Sequence, residues 1–434
     1  MIYMNSLKVD KNSSNKRKYF MIFVCMLIQA IPFGVAQNIQ PLFIPYVVKH
    51  FNFSLAAFSL IFTFGALAAS VCSPFLGKLF GKINVKIIFL IGTILSSLSF
   101  LGFGLATNLA EFYVLSAISQ VGCVLFSGLG IAFLIGSWFP KQGRGKALGI
   151  AFSGGSIGNV FLQPIVSSLL GSKGEAETYI IFGILSLIVS LIVILLFVRV
   201  PKPGELDSEL NQSNIEKTEN KQEASGFEGL GAAATRKNKF FWLFALGYAF
   251  IGIAIAACST QYASYFKMRL HLDPALIGIL GSVFALFCLI GNVGGGALFD
   301  KLGSFKAMTI ACILQAVAII GMLLAGISPN FSFLFSICYG LCVFSYMSGP
   351  AFITTDIFGR KESSVNLGTV SLLFAIGFAV GSTIFGGFAQ ILGFKVAWIA
   401  MIVFLIIGYG LLLTSIKRIK SNNKKLAESQ AKAV

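Results

Sequence analysis

The side chains of this chain that could bind a solute are neutral amides and phenols inside long apolar stretches. Both kinds of group donate and accept hydrogen bonds. They recur at helical spacings, so each set shares one helix face. Because polar groups are costly in lipid, they usually face protein or a water-filled cavity. The candidate solute-binding residues are Gln29, Gln37, Gln40, Gln120, Asn159, Gln163, Gln261, Tyr262, Tyr265, Tyr339 and Tyr346.

An alternative role for these residues is hydrogen bonding between neighbouring helices, for which polar side chains in membranes are also used. The sequence leaves both roles open for any single residue. For the glutamines and tyrosines of the first, seventh and tenth apolar runs, binding of a solute is the favoured interpretation, because several of them share a face.

Residue patterns typical of enzymes do not accompany these amides. The sequence has no HExxH motif and no Walker motif, and its two histidines, His50 and His271, fall between apolar runs. The segment 291–296, GNVGGG, lacks the preceding strand of a nucleotide loop and indicates close helix packing instead. We therefore expect no catalytic residue, no metal ligand and no cofactor.

Twelve apolar runs position the candidate residues. Of the 434 residues, 56% are hydrophobic and 11% are charged, against about 25% charged in soluble domains. Each run is long enough to cross a bilayer core, which takes about 20 residues. The sequence predicts an all-α membrane protein with twelve transmembrane helices. The runs without Asp, Glu, Lys, Arg or His are 20–46, 54–76, 87–107, 112–137, 147–170, 178–198, 240–266, 275–298, 307–327, 331–355, 365–390 and 396–416.

The distribution of basic residues predicts the orientation of the chain. The net charge is +17, and 28 of the 33 basic residues fall in the tails and alternate loops on one face. The opposite face has Lys49, Lys173, Lys267, Arg269 and Lys395. This asymmetry follows the positive-inside rule and places both termini in the cytoplasm. It explains the basic charge without a nucleic-acid partner, and we expect a multi-pass protein of the cell membrane in contact with the lipid bilayer. All eight cysteines lie inside the runs and are expected to pack there.

A polar linker divides the runs into two sets of six. We expect a cytoplasmic tail at 1–19, a six-helix half at 20–198, a flexible linker at 199–239, a second six-helix half at 240–416 and a tail at 417–434. An offset of 219 residues relates the halves without gaps, as in the pairs Gly130 and Gly349, and Gly158 and Gly377. Duplicated halves are a plan of secondary transporters.

Two short basic loops at equivalent places are expected to control conformational change. The first reads Gly77-KLF-Gly81-Lys82-I-Asn84 and the second Gly296-ALF-Asp300-Lys301-L-Gly303. The second loop resembles the signature loop of the major facilitator superfamily, whereas the first departs from it, with Gly81 for the acid and Asn84 for the last glycine. The expected gating residues are Gly77, Lys82, Arg144, Gly296, Asp300, Lys301 and Gly303.

Two further motifs resemble one branch of that superfamily. The stretch 138–150, WFPKQGRGKALGI, and the stretch 51–54, FNFS, are similar to those of the monocarboxylate and oxalate–formate transporters. The resemblance implies two pseudo-symmetric six-helix halves, with the first, fourth, seventh and tenth helices lining a central cavity. It also implies that the amide and phenol sets above face the transported solute.

The absence of charged residues in the runs narrows the range of solutes that we expect. Members of that branch that carry oxalate or lactate hold the carboxylate with a Lys or Arg in helices of the second half, and here those runs have none. A compact dianion would lack a charged partner, which is costly in a desolvated site. We expect a small organic solute, most favourably an organic monocarboxylate or amphipathic organic anion, moved by alternating access in a monomer. Coupling could use protons through the solute's own carboxylate, a group such as Asp356, or exchange for a counter-transported solute.

Two alternative functions stay open at this point. A multidrug or toxic-solute efflux carrier of the same fold would also suit a wide neutral cavity rich in Phe and Tyr. A membrane sensor that does not transport would be expected to have a folded soluble module, and the segments 199–239 and 417–434 are short for one.

Overall fold

The computed structural model describes residues 11–139, 143–202, 205, 231–359 and 362–431. In these ranges the regular structure is helical, and an isolated bridge joins Phe80 and Ile83. The helices of the first half are α1 (Lys11–Ile28, a π-helical stretch Gln29–Asn38, and Gln40–His50), α2 (Leu55–Gly77), α3 (Val85–Phe103), α4 (Leu109–Cys123, π-helical Val124–Gly128, and Leu129–Trp138), α5 (144–173) and α6 (175–197).

The second half repeats this order after a short helix, Ala232–Lys237. Its helices are α7 (Lys239–Ser264, ending in π-helical Tyr265–Arg269), α8 (274–302), α9 (304–324), α10 (Phe331–Leu341, Phe344–Met347 and Gly349–Phe358), α11 (Ser363–Leu392) and α12 (Phe394–Ala431). The polar tail after residue 416 therefore continues α12 as far as Ala431, because the Lys, Arg, Glu and Ala residues there are good helix formers.

Two glycines separate segments that otherwise run on as single helices. Gly174, with φ of 81°, divides Arg144–Phe197 into α5 and α6. Gly303, with φ of 71°, divides Pro274–Leu324 into α8 and α9. A positive φ is costly for residues with a Cβ, so glycine suits both breaks. The residues 296–302 of the second expected loop lie in the last turns of α8, and the chain turns only at Gly303.

The length and the apolar composition of the helices agree with a membrane fold. In the described ranges, nine helices are long and apolar enough to cross a membrane, and a bent pair in α10 that meets at 44° also qualifies. Two of the nine contain the breaks at Gly174 and Gly303 and so comprise two segments each. Each apolar run predicted from the sequence overlaps one of the helical segments α1 to α12.

The offset of 219 also relates backbone conformations. Asn52 and His271 both have φ of 54°. Gly174 and Gly393 have similar φ values, 81° and 85° respectively. The N-terminal caps of α2 and α8 correspond as well. The side chain of Ser54 accepts a hydrogen bond from the backbone amide of Ala57, and that of Asp273 accepts one from the backbone amide of Ala275. Turn geometry therefore repeats even where the residue types differ.

Glycines bring equivalent helices into close contact in each half. A Cβ at Gly158 of α5 would lie 2.2 Å from the carbonyl oxygen of Ala30 in α1. A Cβ at Gly377 of α11 would lie 2.0 Å from that of Ala249 in α7. Both pairs follow the offset of 219, so each half has the same backbone contact behind its cavity-facing helix.

The halves meet at the end where α1 finishes and α2 begins, which we call the outer end because the charge asymmetry predicts it to be outside. Thr63 of α2 bonds Thr383 of α11 across 3.2 Å. Ser282 of α8 donates to the carbonyl of Val160 in α5 across 2.7 Å. Lys267 of α7 lies 5.5 Å from the ring centre of Tyr46 in α1. The gap between the halves is thus closed at this end.

Candidate solute-binding cavity

Three glutamines of the first half line one cavity between α1, α2, α3 and α4. The Gln120 amide of α4 donates to Gln37 Oε1 of α1. Gln40 is only 6% exposed, and its Oε1 has no hydrogen-bond partner within the described residues. The cavity is small in this conformation, with a volume of about 10 Å³, and its wall consists of Ala36, Gln37, Gln40, Ile61, Phe62, Phe103, Ser116, Ser119 and Gln120. The structure therefore brings Gln37, Gln40 and Gln120 together.

Gln29 lies deeper in the first half. It is 2% exposed and accepts a hydrogen bond of 3.1 Å from Ser127 of α4. Both residues belong to π-helical stretches, which often occur at functional sites. This bond joins the irregular segments of α1 and α4 directly.

The second half has a matching contact at the broken part of α10. Tyr248 of α7, which is Gln29 plus 219, donates to the carbonyl of Ser345 across 3.2 Å. The π-helical segment 124–128 of α4 likewise corresponds to 343–347 in the break of α10. In both halves, a side chain from the first helix of the half therefore holds the irregular segment of the fourth.

Three of the candidate residues, Gln163, Gln261 and Tyr262, lie at the contact between the halves, and Asn159 bonds one of them. The side-chain amide of Gln261 in α7 donates hydrogen bonds to Ser59 Oγ of α2 at 2.7 Å and to Ser382 Oγ of α11 at 2.8 Å. Tyr262 OH donates a hydrogen bond of 3.0 Å to Gln163 Oε1 of α5. Gln163 Nε2 in turn donates one of 3.1 Å to Asn159 Oδ1. We call this group, Ser59, Gln163, Gln261, Tyr262 and Ser382, the outer seal. In this conformation Gln163, Gln261 and Tyr262 hold helices together, which is the alternative role considered for them above.

The candidate tyrosines of the second half contact neighbouring helices and rings. Tyr339 OH bonds Ser259 Oγ at 2.5 Å and donates to the carbonyl of Ile255 at 3.0 Å, so it ties α10 to α7. Tyr346 is half-buried and stacks on Phe374 of α11 with centroids 6.1 Å apart. Tyr265 lies elsewhere, since it packs on Phe394 and Trp398 of the second half. The structure thus groups Tyr339 and Tyr346 near α7 and separates Tyr265 from them.

The expected gating residues lie at the other end of the molecule. Lys82, Asp300 and Lys301 are exposed, and Gly303 forms the turn between α8 and α9. Arg144 begins α5 after Gly143, and its guanidinium packs against Gly136 of α4. Gly77 is the last residue of α2, and a Cβ at Gly296 would meet open space.

Asp356, a candidate coupling group, is held within the second half. Its carboxylate accepts a hydrogen bond from Ser304 at the start of α9 and pairs with Lys420 Nζ of α12 across 2.7 Å. Among the described residues, no three His, Cys, Asp or Glu side chains group in a way that could hold a metal ion.

Sequence reasoning missed Ser59 and Ser382 in the outer seal and the rings of Phe284 and Phe335 beside Tyr339. The serines gave no signal, because serine is common throughout the apolar runs. The spacing of Phe335 and Tyr339, four residues apart on one helix face, was a usable signal.

Known proteins resemble this chain along most of its length. A family model described as Major Facilitator Superfamily matches residues 20–354. Monocarboxylate transporter 12-B of Danio rerio is 26% identical, with coverage of 92% of this chain and 88% of the relative. The phosphoglycerate transporter protein of Salmonella typhimurium is 23% identical, with coverage of 81% and 76%.

Solved structures show the same fold. A bacterial homologue of the human lysosomal transporter Spinster, in an inward-facing and occupied conformation, superposes with a TM-score of 0.72 at 17% identity, covering 92% of this chain and 97% of that one. The nucleoside transporter NupG superposes with a TM-score of 0.69 at 15% identity, covering 92% and 99%. The chain belongs to the Major Facilitator Superfamily and is a multi-pass membrane transporter of small solutes, not an enzyme.

Proposed function

We propose that this transporter carries an amphipathic organic monocarboxylate by alternating access between the two halves. One observation carries the proposal, namely that the cavity of the first half has neutral amides beside apolar side chains. The amides are those of Gln37, Gln40 and Gln120, and the apolar side chains include Ile61, Phe62 and Phe103.

The two kinds of lining suit the two parts of such a solute. The bond from Gln120 uses the side-chain oxygen of Gln37, so the amide nitrogen of Gln37 is left as a donor for a carboxylate. Each neutral hydrogen bond contributes only about 0.5–1.5 kcal/mol. Most of the affinity would then come from burial of an apolar body against the apolar side chains of the wall, at about 25 cal/mol per Å².

Charge supports a single carboxyl group over two. The twelve apolar runs contain no Lys or Arg, and Lys267 at the outer end already lies over the ring of Tyr46. A desolvated dianion without a cationic partner would be strongly disfavoured. The relative from Danio rerio is named a monocarboxylate transporter, which agrees with this class, whereas the Salmonella relative is named for phosphoglycerate.

The closed outer end supports alternating access. The outer seal joins α7 to α2, α5 and α11, and Thr63 bonds Thr383 and Ser282 bonds Val160 between the halves at the same end. We propose that the described state opens toward the cytoplasm, with both termini on that side. The solute then reaches the cavity from the end where Asp300 and Arg144 lie.

Counterflow in proteoliposomes tests the proposed function. Vesicles loaded with unlabelled octanoate should accumulate labelled octanoate faster than vesicles without protein. Succinate, a dicarboxylate, should compete poorly, and rhodamine 6G should not be expelled. Efflux of the dye without carboxylate counterflow would replace the proposal with the multidrug carrier, and strong competition by succinate would refute the neutral cavity.

A further inference from the structure

Residue 65 of α2 is a glycine at a place where a side chain would meet Gln120. Gly65 is buried in the middle of Leu55–Gly77. A Cβ there would lie 2.6 Å from Gln120 Cγ and 2.9 Å from Ser116 Oγ, both in α4. Glycine in a helix interior is destabilising relative to alanine, so its presence here needs a physical reason. The space that the Gln120 side chain occupies supplies that reason.

Glycines elsewhere in the first half have a different function. A Cβ at Gly154 of α5 would lie 2.3 Å from the carbonyl oxygen of Met26 in α1. That glycine lets two backbones approach each other, which is the usual role of small residues in membrane helices. The atoms nearest the Cβ position of Gly65 are instead side-chain atoms of Gln120 and Ser116. Gly65 therefore makes room for side chains and not for a neighbouring backbone.

Side chains of α4 contact α2 on two successive turns. The Ser116 hydroxyl donates a hydrogen bond of 2.7 Å to the carbonyl of Ile61. One turn further along both helices, Gln120 lies against Gly65, and its amide donates to Gln37 of α1. The contact with Gly65 thus permits the side-chain direction in which the Gln120 amide meets α1.

The second half has a contact at the equivalent positions, with different residues. Adding 219 takes Gly65 to Phe284 and Gln120 to Tyr339. Phe284 stacks on Tyr339 with ring centres 5.1 Å apart, and Tyr339 OH bonds Ser259 Oγ of α7 at 2.5 Å. In each half, a residue of the second helix therefore packs against the side chain by which the fourth helix reaches the first. The repeat of this contact supports a role for position 65 in directing that side chain.

We propose that Gly65 is a positioning residue for solute binding, because it lets the Gln120 amide take the direction that meets Gln37 at the cavity. This inference rests on the proposed function, which places these two amides at the polar head of the solute. The cavity wall described above does not include Gly65, so Gly65 acts on the solute through Gln120. A Cβ at position 65 would displace Gln120 Cγ and turn the amide away from Gln37.

Counterflow of octanoate by Gly65→Ala tests the inference. The apparent octanoate constant should rise about fivefold or more, the change expected when one hydrogen bond to the solute is lost. The maximal exchange rate should stay near the wild-type value, because the contact lies within one half and outside the outer seal. In a Gln120→Ala background, Gly65→Ala should add little. The nearest atom of residue 120 would then be its Cβ at 3.5 Å, an ordinary contact, and the Ser116 hydroxyl can rotate.

Gly410→Ala is the matched control. A Cβ at Gly410 of α12 would meet no atom of the described residues within 4 Å. This variant has the same gain in helix propensity and should keep the wild-type constant. An unchanged constant in Gly65→Ala, or an equal rise with and without Gln120, would overturn the inference and leave the proposed function standing.

Folding of the variants gives a second test of the same contact. Size-exclusion chromatography in detergent would report folded protein. If Gly65→Ala alone does not fold, the double variant with Gln120→Ala should fold, because the displaced Cγ is then absent. A double variant that also stays unfolded would overturn the inference. Octanoate counterflow absent from the wild-type protein would refute the proposed function itself.

Discussion

The side-chain amide of Gln261 in α7 donates a hydrogen bond of 2.7 Å to the hydroxyl of Ser59 in α2. The two residues are 202 positions apart and belong to different halves. The same amide nitrogen donates to Ser382 of α11, so one side chain holds two helices at the outer end. Opening toward the outside has to break the bond to Ser59.

Gln261→Ala should shift the protein toward an outward-open state. The loss of two neutral hydrogen bonds, at about 0.5–1.5 kcal/mol each, predicts a population change of about fivefold or more. Spin labels at Asn52 and His271, both exposed in equivalent outer loops, would report longer distances by double electron–electron resonance. Ser97→Ala removes a bond to Ser186 within the first half and should leave the distances unchanged. Identical distributions in wild type and Gln261→Ala would refute the role of the seal.

Gln37→Ala and Gln120→Ala should each weaken binding of the solute. Removing one amide leaves the solute group that it binds without a hydrogen-bond partner. This loss costs about 1–3 kcal/mol and raises the apparent transport constant about five- to hundredfold. Because the two residues bond each other, the double variant should lose less than the sum of the single losses. Ser190→Ala, which removes a bond to its own helix in α6, serves as control. Unchanged constants in both single variants would exclude this pair from the site.

Asp300→Asn should slow the transport cycle without weakening the binding of the solute. Asp300 is exposed at the end of α8, far along the helix from the outer seal. If its carboxylate forms a charge-assisted bond in the opposite conformation, loss of about 1.5 kcal/mol or more predicts a roughly tenfold lower maximal rate. Exchange rates and apparent constants in proteoliposomes separate the two effects. Glu177→Gln, at the exposed pair with Lys173 on the outer end, is the control, and a rise in the apparent constant of Asp300→Asn with no change in rate would contradict the assignment.

Glu205 fastens the start of the linker to the first half, and its contribution to stability should depend on pH. Arg199 holds the pKa of Glu205 at about 2, below its ordinary value of 4.5, with help from the Lys202 amide and Arg17. A lowered pKa stabilises the folded state at pH values above about 4.5, and this contribution is lost as the pH falls toward 2. Glu205→Gln should therefore unfold at a lower temperature than wild type at pH 7, and the difference should shrink below pH 4.5. A difference that is constant across this window would assign the effect to packing.

The sequence predicts the elements of this fold well because a bilayer leaves few choices. Each apolar run had to be a helix, since lipid cannot satisfy backbone groups in any other single segment. Even so, a helical wheel assumes uniform geometry, and it cannot show the π-helical stretches Gln29–Asn38 and Tyr265–Arg269. The second of these begins at Tyr265, whose ring packs on Trp398.

The site itself is only partly readable from the sequence. Gln37, Gln40 and Gln120 could be identified because carboxamide side chains are rare in the runs, and Gln37 and Gln40 share a helix face. The partners of Gln261 could not, because they depend on how two halves pack across more than a hundred residues. The role of Gln163 also depends on conformation, since the bond to Tyr262 exists where the halves touch.

The hydrogen bonds of the outer seal come from hydroxyls and carboxamides alone. When these bonds break, water can take the place of each lost partner, and no charged group is left dry in a low-dielectric space. Opening of the outer seal is therefore an exchange of partners at nearly constant electrostatic energy. Among the contacts described at this end, the one between Lys267 and the Tyr46 ring carries a charge, so any dependence of opening on ionic strength or membrane potential would come from that contact and not from the seal.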